Sequence, residues 1–266
     1  MIRTPLMTVM VDAVMKAARG LRRDFGEVEN LQVSRKGPGD FVSATDHKAE
    51  AIIRESLQKA RPEFSFVMEE GGILEGKDPT HRWHIDPLDG TLNFLHGIPH
   101  FSISLGLEKD GAIIAGVVYD PIKDELFIAE KGKGAYVNNR RLRVSGRIDM
   151  ADCVFGTGLP ASAKRTLPAY LAELSAVTLN SASVRRMGSA ALDLAYVSAG
   201  RLDGFWESGL SSWDVAAGII LVREAGGFIT DIHGKDYSLS ASSIACGNET
   251  VHSSLVKILK SAQSSS

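Results

Sequence analysis

Apolar residues near the start of the chain recur with helical spacing. Leu6, Val9, Met10, Ala13, Val14, Ala17 and Leu21 fall on one face, so residues 6–25 are expected to form an amphipathic helix with a wide apolar stripe. Asp12 and Lys16 interrupt the apolar run, which argues against a signal peptide despite Arg3 and the segment after Pro5. The helix should end near Phe25-Gly26, and Lys36-Gly37-Pro38-Gly39-Asp40 reads as a mobile loop carrying a lysine. Ala49, Ile52, Ile53 and Leu57 make the apolar face of a second helix, which Ser43 or Thr45 can cap and Pro62 stops.

The period then shortens. Phe64-Ser65-Phe66-Val67-Met68 reads as a strand running into Glu69-Glu70-Gly71-Gly72, and a strand over 82–86 enters the tight turn Pro87-Leu88-Asp89-Gly90-Thr91. Between residues 101 and 144, β-like runs alternate with the turn signals Asp110-Gly111, Asp120-Pro121, Lys131-Gly132 and Asn138-Asn139, which predicts an antiparallel meander. Beyond Ser145 strands and helices alternate. Strands are expected at 153–156, near Val184 and at Phe205-Trp206-Glu207, with helices after Pro168, over 189–199 and over 214–225. Gly226-Gly227 suits a left-handed helix cap, 228–231 reads as the last sheet strand, 251–259 as the final helix, and Ser264-Ser265-Ser266 as a frayed end. The expectation is an N-terminal α+β half (1–145) and a C-terminal α/β half (146–266), packed as one body because no linker or repeat separates them.

Composition narrows the class. Across 266 residues, 44% are hydrophobic and 23% charged, which excludes a disordered, collagenous or coiled-coil chain. A net charge of −2 supplies no overall field toward nucleic acid or an anionic membrane, so any anion site must be local and no direct nucleic-acid partner is expected. Cys153 and Cys246 lie far apart without CxxC spacing, which suggests neither a disulfide framework nor zinc and fits a reducing cytoplasm. No apolar run approaches the roughly 20 residues that span a bilayer, so no membrane role is expected.

The chemistry concentrates in Trp83-His84-Ile85-Asp86-Pro87-Leu88-Asp89-Gly90-Thr91-Leu92-Asn93-Phe94. Two carboxylates straddling Pro87 cannot both be buried unpaired; each needs water, a cationic side chain or a metal ion. The fixed φ of Pro87 and the freedom of Gly90 allow the loop to aim both acids and the Leu88 carbonyl at one point, an all-oxygen donor set that suits Mg²⁺. The amides of Gly90 and Thr91, at the start of the next segment, favour a phosphate. An isolated DxxDG is most simply an Asp-rich turn, Asp214 alone a helix-start residue, and Glu69-Glu70 alone a solvated strand exit. Their co-occurrence changes the picture.

Taken in order, Lys36, Ala44-Thr45-Asp46, Glu69-Glu70, the string from Trp83 to Phe94, Gly188-Ser189-Ala190-Ala191, Phe205-Trp206-Glu207 and Trp213-Asp214-Val215-Ala216-Ala217-Gly218 resemble the inositol monophosphatase family, with the bacterial inositol-1-monophosphatases nearest in likeness. The resemblance implies a layered αβαβα sandwich of the sugar-phosphatase type and a Mg²⁺-dependent, lithium-sensitive homodimer that hydrolyses inositol 1-phosphate. It implies that Glu69, Asp86 and the Leu88 carbonyl hold one Mg²⁺ and that Asp86, Asp89 and Asp214 hold a second. Glu69 and Thr91, with Asp46 behind Thr91, would orient and activate the attacking water. The phosphate would sit on the Gly90 and Thr91 amides, with ring hydroxyls near Asp89, Ala190 and Glu207 and with Arg185 as a further substrate-side candidate. Related substrates are fructose 1,6-bisphosphate and histidinol phosphate, and some bacterial relatives associate with the transcription machinery.

Certain residues depart from the family pattern. Met68 stands where glycine is common and Gly71-Gly72 replaces a more usual serine. His84 occupies a commonly aliphatic position; on a strand it shares a face with Asp86, though a satisfied, half-buried histidine is the simpler account. Gly97 and Pro99 spoil helical spacing between His96 and His100, which therefore receive no ligand role. Arg140, Arg141 and Arg143 read as a solvated turn.

Overall fold

The computed structural model describes residues 3–27, 33–37, 40–159 and 167–264. The first helix, α1 (Pro5–Phe25), starts where Thr4 accepts the Met7 amide and Pro5 occupies the first turn. Two short antiparallel strands, β1 (Val33–Gly37) and β2 (Asp40–Ser43), replace much of the loop expected around Lys36. Pro38 and Gly39 lie outside the described residues. Helix α2 (Ala44–Ala60) follows directly, with Thr45 inside the helix, where its hydroxyl donates to Asp24 at 2.8 Å.

The large sheet has eight strands: β3 (Ser65–Met68), β4 (Gly72–Leu74), β5 (His81–Asp89), β6 (Ser102–Lys109), β7 (Ala112–Asp120), β8 (Glu125–Glu130), β9 (Gly134–Val137) and β10 (Arg140–Arg141), in the order 10-9-8-7-6-5-3-4. From β5 to β10 it is the antiparallel meander that the turn signals announce, and Asp110, Asn138 and Asn139 adopt the positive φ those turns require. A five-residue helix α3 (Thr91–Leu95) leaves β5. The C-terminal segment adds β11 (Val154–Thr157), α4 (Leu167–Asn180), β12 (Ser183–Arg185), α5 (Ala190–Ser198), β13 (Gly204–Ser208), α6 (Ser212–Glu224), β14 (Phe228–Thr230), β15 (Ser243–Gly247) and α7 (Glu249–Ser264).

Two further strands differ from expectation. β15, not β14, is the last strand, and it lies antiparallel between β13 and β14 in a five-stranded sheet of order 12-11-13-15-14. Its sequence, Ser-Ile-Ala-Cys-Gly, carries one β-branched residue and no alternation because both faces are buried. β4 was hidden by Gly71-Gly72, read as a strand exit.

Strand alternation sorts the layers. Trp83, Ile85, Leu105, Val117 and Tyr119 pack on α1 and α2, whereas Val118, Phe127 and Ala129, on the opposite face, pack on α5 and α6. In the smaller sheet Phe205 and Cys246 face α5 and α6, while Phe155, Trp206 and Ala245 face α4 and α7. The molecule is therefore a five-layered αβαβα sandwich with α5 and α6 in the middle. From Val215 to Val222 helix α6 is apolar all round, as a helix between two sheets must be. It sits close on the large sheet because Gly106 and Gly116 have no side chain; a Cβ at Gly106 would stand 2.5 Å from that of Ala216.

Candidate active site

Asp86 and Asp89, three apart, would point to opposite faces of a regular strand. Pairing between β5 and β6 shifts between Asp86↔Ser104 and Asp89↔Ser102, so β5 contains one extra residue there. The bulge, located at Pro87, which has no N–H to give, returns Asp89 to the middle-layer side that Asp86 already faces. Asp86 Oδ1 also accepts the Leu88 amide at 2.9 Å. Gly90, at φ +95°, then turns the chain into α3. A Cβ there would lie 3.1 Å from Gly188 O and 3.2 Å from His100 O, so glycine serves both the turn and the close approach.

Glu69 reaches the same place along a parallel neighbour. β3 pairs with β5 so that Met68 lies beside Ile85, and the Glu69 amide donates to Ile85 O at 3.2 Å. Glu50 on α2, a residue that motif spacing did not single out, accepts the Glu70 amide at 2.8 Å and holds this exit. A Cβ on Gly71 would stand 2.9 Å from both Glu50 Oε1 and Met68 Cε, which gives Gly71 and Met68 a packing reason to occur together.

Asp214 comes from α6. It is part of a capping box in which its Oδ2 accepts the Ser211 amide at 2.7 Å. Asp89 is held by the start of α5: the Ser189 hydroxyl and the Ala191 amide donate to Oδ2, the latter at 2.8 Å, and the Ala190 amide lies 3.3 Å from Oδ1. Thr91 Oγ1 is 3.0 Å from Leu88 O and 3.3 Å from Asp46 Oδ1, with Asp46 fully buried on α2.

A cleft of about 310 Å³ opens over Asp89 and Asp214, lined also by Gly158, Arg186, Ala190, Asp193 and Glu207, while Glu69, Asp86, Leu88, Gly90 and Thr91 lie outside its lining. Glu207, on β13, fits against Gly158 so closely that a Cβ there would lie 2.0 Å from its carboxylate oxygens. Arg185 does not line the cleft; its guanidinium donates to Ser183 Oγ and Val184 O, and the next residue, Arg186, takes the place on the wall. Asp193 was also missed. Its signal in the sequence is one acid inside an otherwise apolar helix, and neither of its buried oxygens has a hydrogen-bond partner. A larger groove of about 580 Å³ lies between α4 and α7 on the outer layer, with no acid in its lining.

Electrostatically the cleft is an acid cluster short of positive charge. Burial, then Glu69, Asp89 and Asp214, push the Asp86 carboxyl well above its usual range, and Asp86 is within hydrogen-bonding reach of Glu69 and Asp214. Burial raises Asp89 to about 6 even against the donors on it, and raises Asp214 and Glu207 to about 8, each helped by neighbouring acids. Asp193 is shifted upward for the same reasons. Such a set either keeps protons or takes up a cation. Among the described residues, no three His, Cys, Asp or Glu side chains already stand at the mutual spacing of a coordination shell. The fit to a hard divalent cation is one of donor chemistry and crowding: carboxylates and a carbonyl, with no thiolate or imidazole.

Known proteins place the chain. The family model described as the inositol monophosphatase family matches residues 3–264. An inositol-1-monophosphatase of Mesorhizobium japonicum is 56% identical over 260 residues, 98% of each chain. The Nus factor SuhB of Escherichia coli K12 is 42% identical over 247 residues, 93% of this chain and 92% of that one. The crystal structure of extragenic suppressor protein SuhB from Bartonella henselae superposes with a TM-score of 0.94 at 55% identity, covering 97% of this chain and 99% of that one. Together with the acid-lined cleft between the two sheets, the full-length matches make this chain a member of the inositol monophosphatase family and a phosphoric monoester hydrolase.

Proposed function

We propose that the protein hydrolyses inositol 1-phosphate to inositol and phosphate, with Mg²⁺ as its cofactor. The observation that carries the reading is the burial of Asp86 against Glu69 and Asp214, with Asp214, Asp89 and Glu207 lining one cleft. Glu69, Asp86 and the Leu88 carbonyl would hold one ion, and Asp86, Asp89 and Asp214 the other. When bound, the two cations supply Lewis acidity and charge neutralisation at the phosphate.

The chain's own residues do the rest. The amides of Gly90, which caps α3, and of Thr91, its first residue, have no acceptor within the helix and suit phosphate oxygens. Glu69 and Thr91 orient the attacking water, and Asp46 Oδ1, 3.3 Å from Thr91 Oγ1, can draw the hydroxyl proton away from Leu88 O. The single proton of Thr91 serves one acceptor at a time, so the hydroxyl can turn during the reaction. Glu207 accepts hydroxyl hydrogen bonds, which favours polyols over apolar alcohols. A homodimer and inhibition by lithium at a cation position belong to the same reading.

The test is phosphate release from inositol 1-phosphate, fructose 1,6-bisphosphate, histidinol phosphate and nucleotide monophosphates, with and without Mg²⁺. The expected result is Mg²⁺-dependent turnover with inositol 1-phosphate preferred. Equal rates across the panel, or turnover indifferent to Mg²⁺ and chelator, would reject it. Relatives named Nus factor SuhB support a second, compatible reading, regulation through the transcription machinery. A pull-down of RNA polymerase factors by an Asp89→Asn variant separates that role from hydrolysis.

A further inference from the structure

His84 is two residues before Asp86 on β5, so both side chains face the middle layer. The imidazole is 3% exposed and spans two elements: Nε2 lies 2.8 Å from Glu108 Oε2 on β6, and Nδ1 lies 2.9 Å from Ser212 Oγ on α6. A carboxylate only accepts, so Nε2 carries a hydrogen toward Glu108; in the neutral ring Nδ1 then receives the Ser212 hydroxyl. Ser212 is two residues before Asp214 in the first turn of α6, and the neighbouring Trp213 carbonyl accepts the Ser104 hydroxyl of β6 at 3.1 Å.

These contacts control a particular degree of freedom. The glycines at 106 and 116 set how closely α6 lies on the sheet, which leaves its rotation and its position along the helix axis as the two further degrees of freedom to be fixed. Directional bonds from the strand to the first turn define both. Asp86 and Asp214, the acids that His84 flanks, rise from those same two elements.

We propose that His84 is a positioning residue for the cation site: by gripping Ser212 from the strand that carries Asp86, it holds Asp214 at the spacing from Asp86 that a shared divalent cation needs. The inference rests on the reading given above in which Asp86, Asp89 and Asp214 hold one ion together. It assigns the Ser212 contact, rather than the Glu108 contact, as the one that reaches the metal; Glu108 orients the ring.

The test is Mg²⁺ binding to metal-stripped protein by isothermal titration calorimetry, with the melting temperature of the same metal-free samples recorded beside it. An asparagine places its side-chain oxygen near the position of Nδ1 and can keep the Ser212 contact, whereas a glutamine reaches toward the position of Nε2 and keeps Glu108. His84→Asn should bind Mg²⁺ nearly as the unaltered protein does, while His84→Gln and Ser212→Ala should bind about tenfold more weakly, the usual scale for residues that orient a metal ligand. His84→Leu should behave like His84→Gln whatever its melting temperature. Equal affinities for the Asn and Gln variants, or affinities that simply follow the melting temperatures, would overturn the assignment while leaving the cation site standing. Absence of Mg²⁺ binding in the unaltered protein would remove both.

Discussion

The amide of Ala191 donates to Asp89 Oδ2 at 2.8 Å, joining the first turn of α5 to the bulged end of β5. Segments a hundred residues apart therefore meet at one carboxylate, and the positive end of a middle-layer helix is spent on holding it. Asp89 is raised less than Asp214 in the same acid cluster, and its donors, the Ser189 hydroxyl first and then the Ala191 and Ala190 amides, offset part of the burial.

Asp89→Asn should fold. An asparagine oxygen in the place of Oδ2 can still accept both the Ser189 hydroxyl and the Ala191 amide, and only the longer Ala190 contact at Oδ1 is given up to the NH₂. Loss of the charge should lower kcat/KM by more than about 100-fold, since even residues behind metal ligands cost up to that much. Circular dichroism paired with a phosphate-release assay checks it; a folded variant retaining most of its activity would refute the ligand role.

Thr91→Ala removes the hydroxyl shared between Leu88 O and Asp46 Oδ1. A kcat drop of about 100-fold with little change in KM is expected, and Thr91→Ser should recover most of it. Failure of serine to rescue would mean that the methyl group, rather than the hydroxyl, is what matters.

Gly158→Ala drives a Cβ into the space taken by the Glu207 carboxylate, 2.0 Å away. Glu207 must move, so KM for a polyol phosphate should rise about tenfold, the scale of one net hydrogen bond. Hydrolysis of p-nitrophenyl phosphate, which offers no ring hydroxyls, should change less. Parallel losses on both substrates would place the damage elsewhere.

His100 predicts a pH effect on stability. Burial, then Lys123, lower its pKa from 6.5 to about 4, with Asp120 opposing, while its ring meets Tyr196 edge-on. As pH falls the unfolded chain takes up the proton first, so this contribution is complete above about 6.5 and is lost progressively toward pH 4. Melting temperatures of the protein and of His100→Gln should converge as the pH is lowered from 7 to 4.5. Parallel curves would show that His100 does not titrate this way.

Much of the architecture was legible in the residue order because local periods carry it. The stripe from Leu6 to Leu21, the turn pairs Asp110-Gly111 and Asn138-Asn139, and the cap at Gly226 each act within a few residues, and each appears in the structure. β15 was illegible because a strand buried on both faces shows no alternation. Glu69, Asp86, Asp89 and Asp214 were readable as a set through the family resemblance, because each alone has a simpler turn, strand-exit or helix-start reading, whereas Asp193, a single acid inside an apolar helix, was not.

What the sequence by itself determined is the family and most of the order of elements, and it named the acids Glu69, Asp86, Asp89 and Asp214. Only the tertiary structure decided which way they face and what holds them: the bulge that turns Asp89, the α5 amides that grip it, the capping box on Asp214, and the choice of Arg186 over Arg185 on the cleft wall. Those outcomes depend on register shifts of one residue and on contacts between distant segments, and a one-residue shift reverses the face of a side chain without altering any local preference.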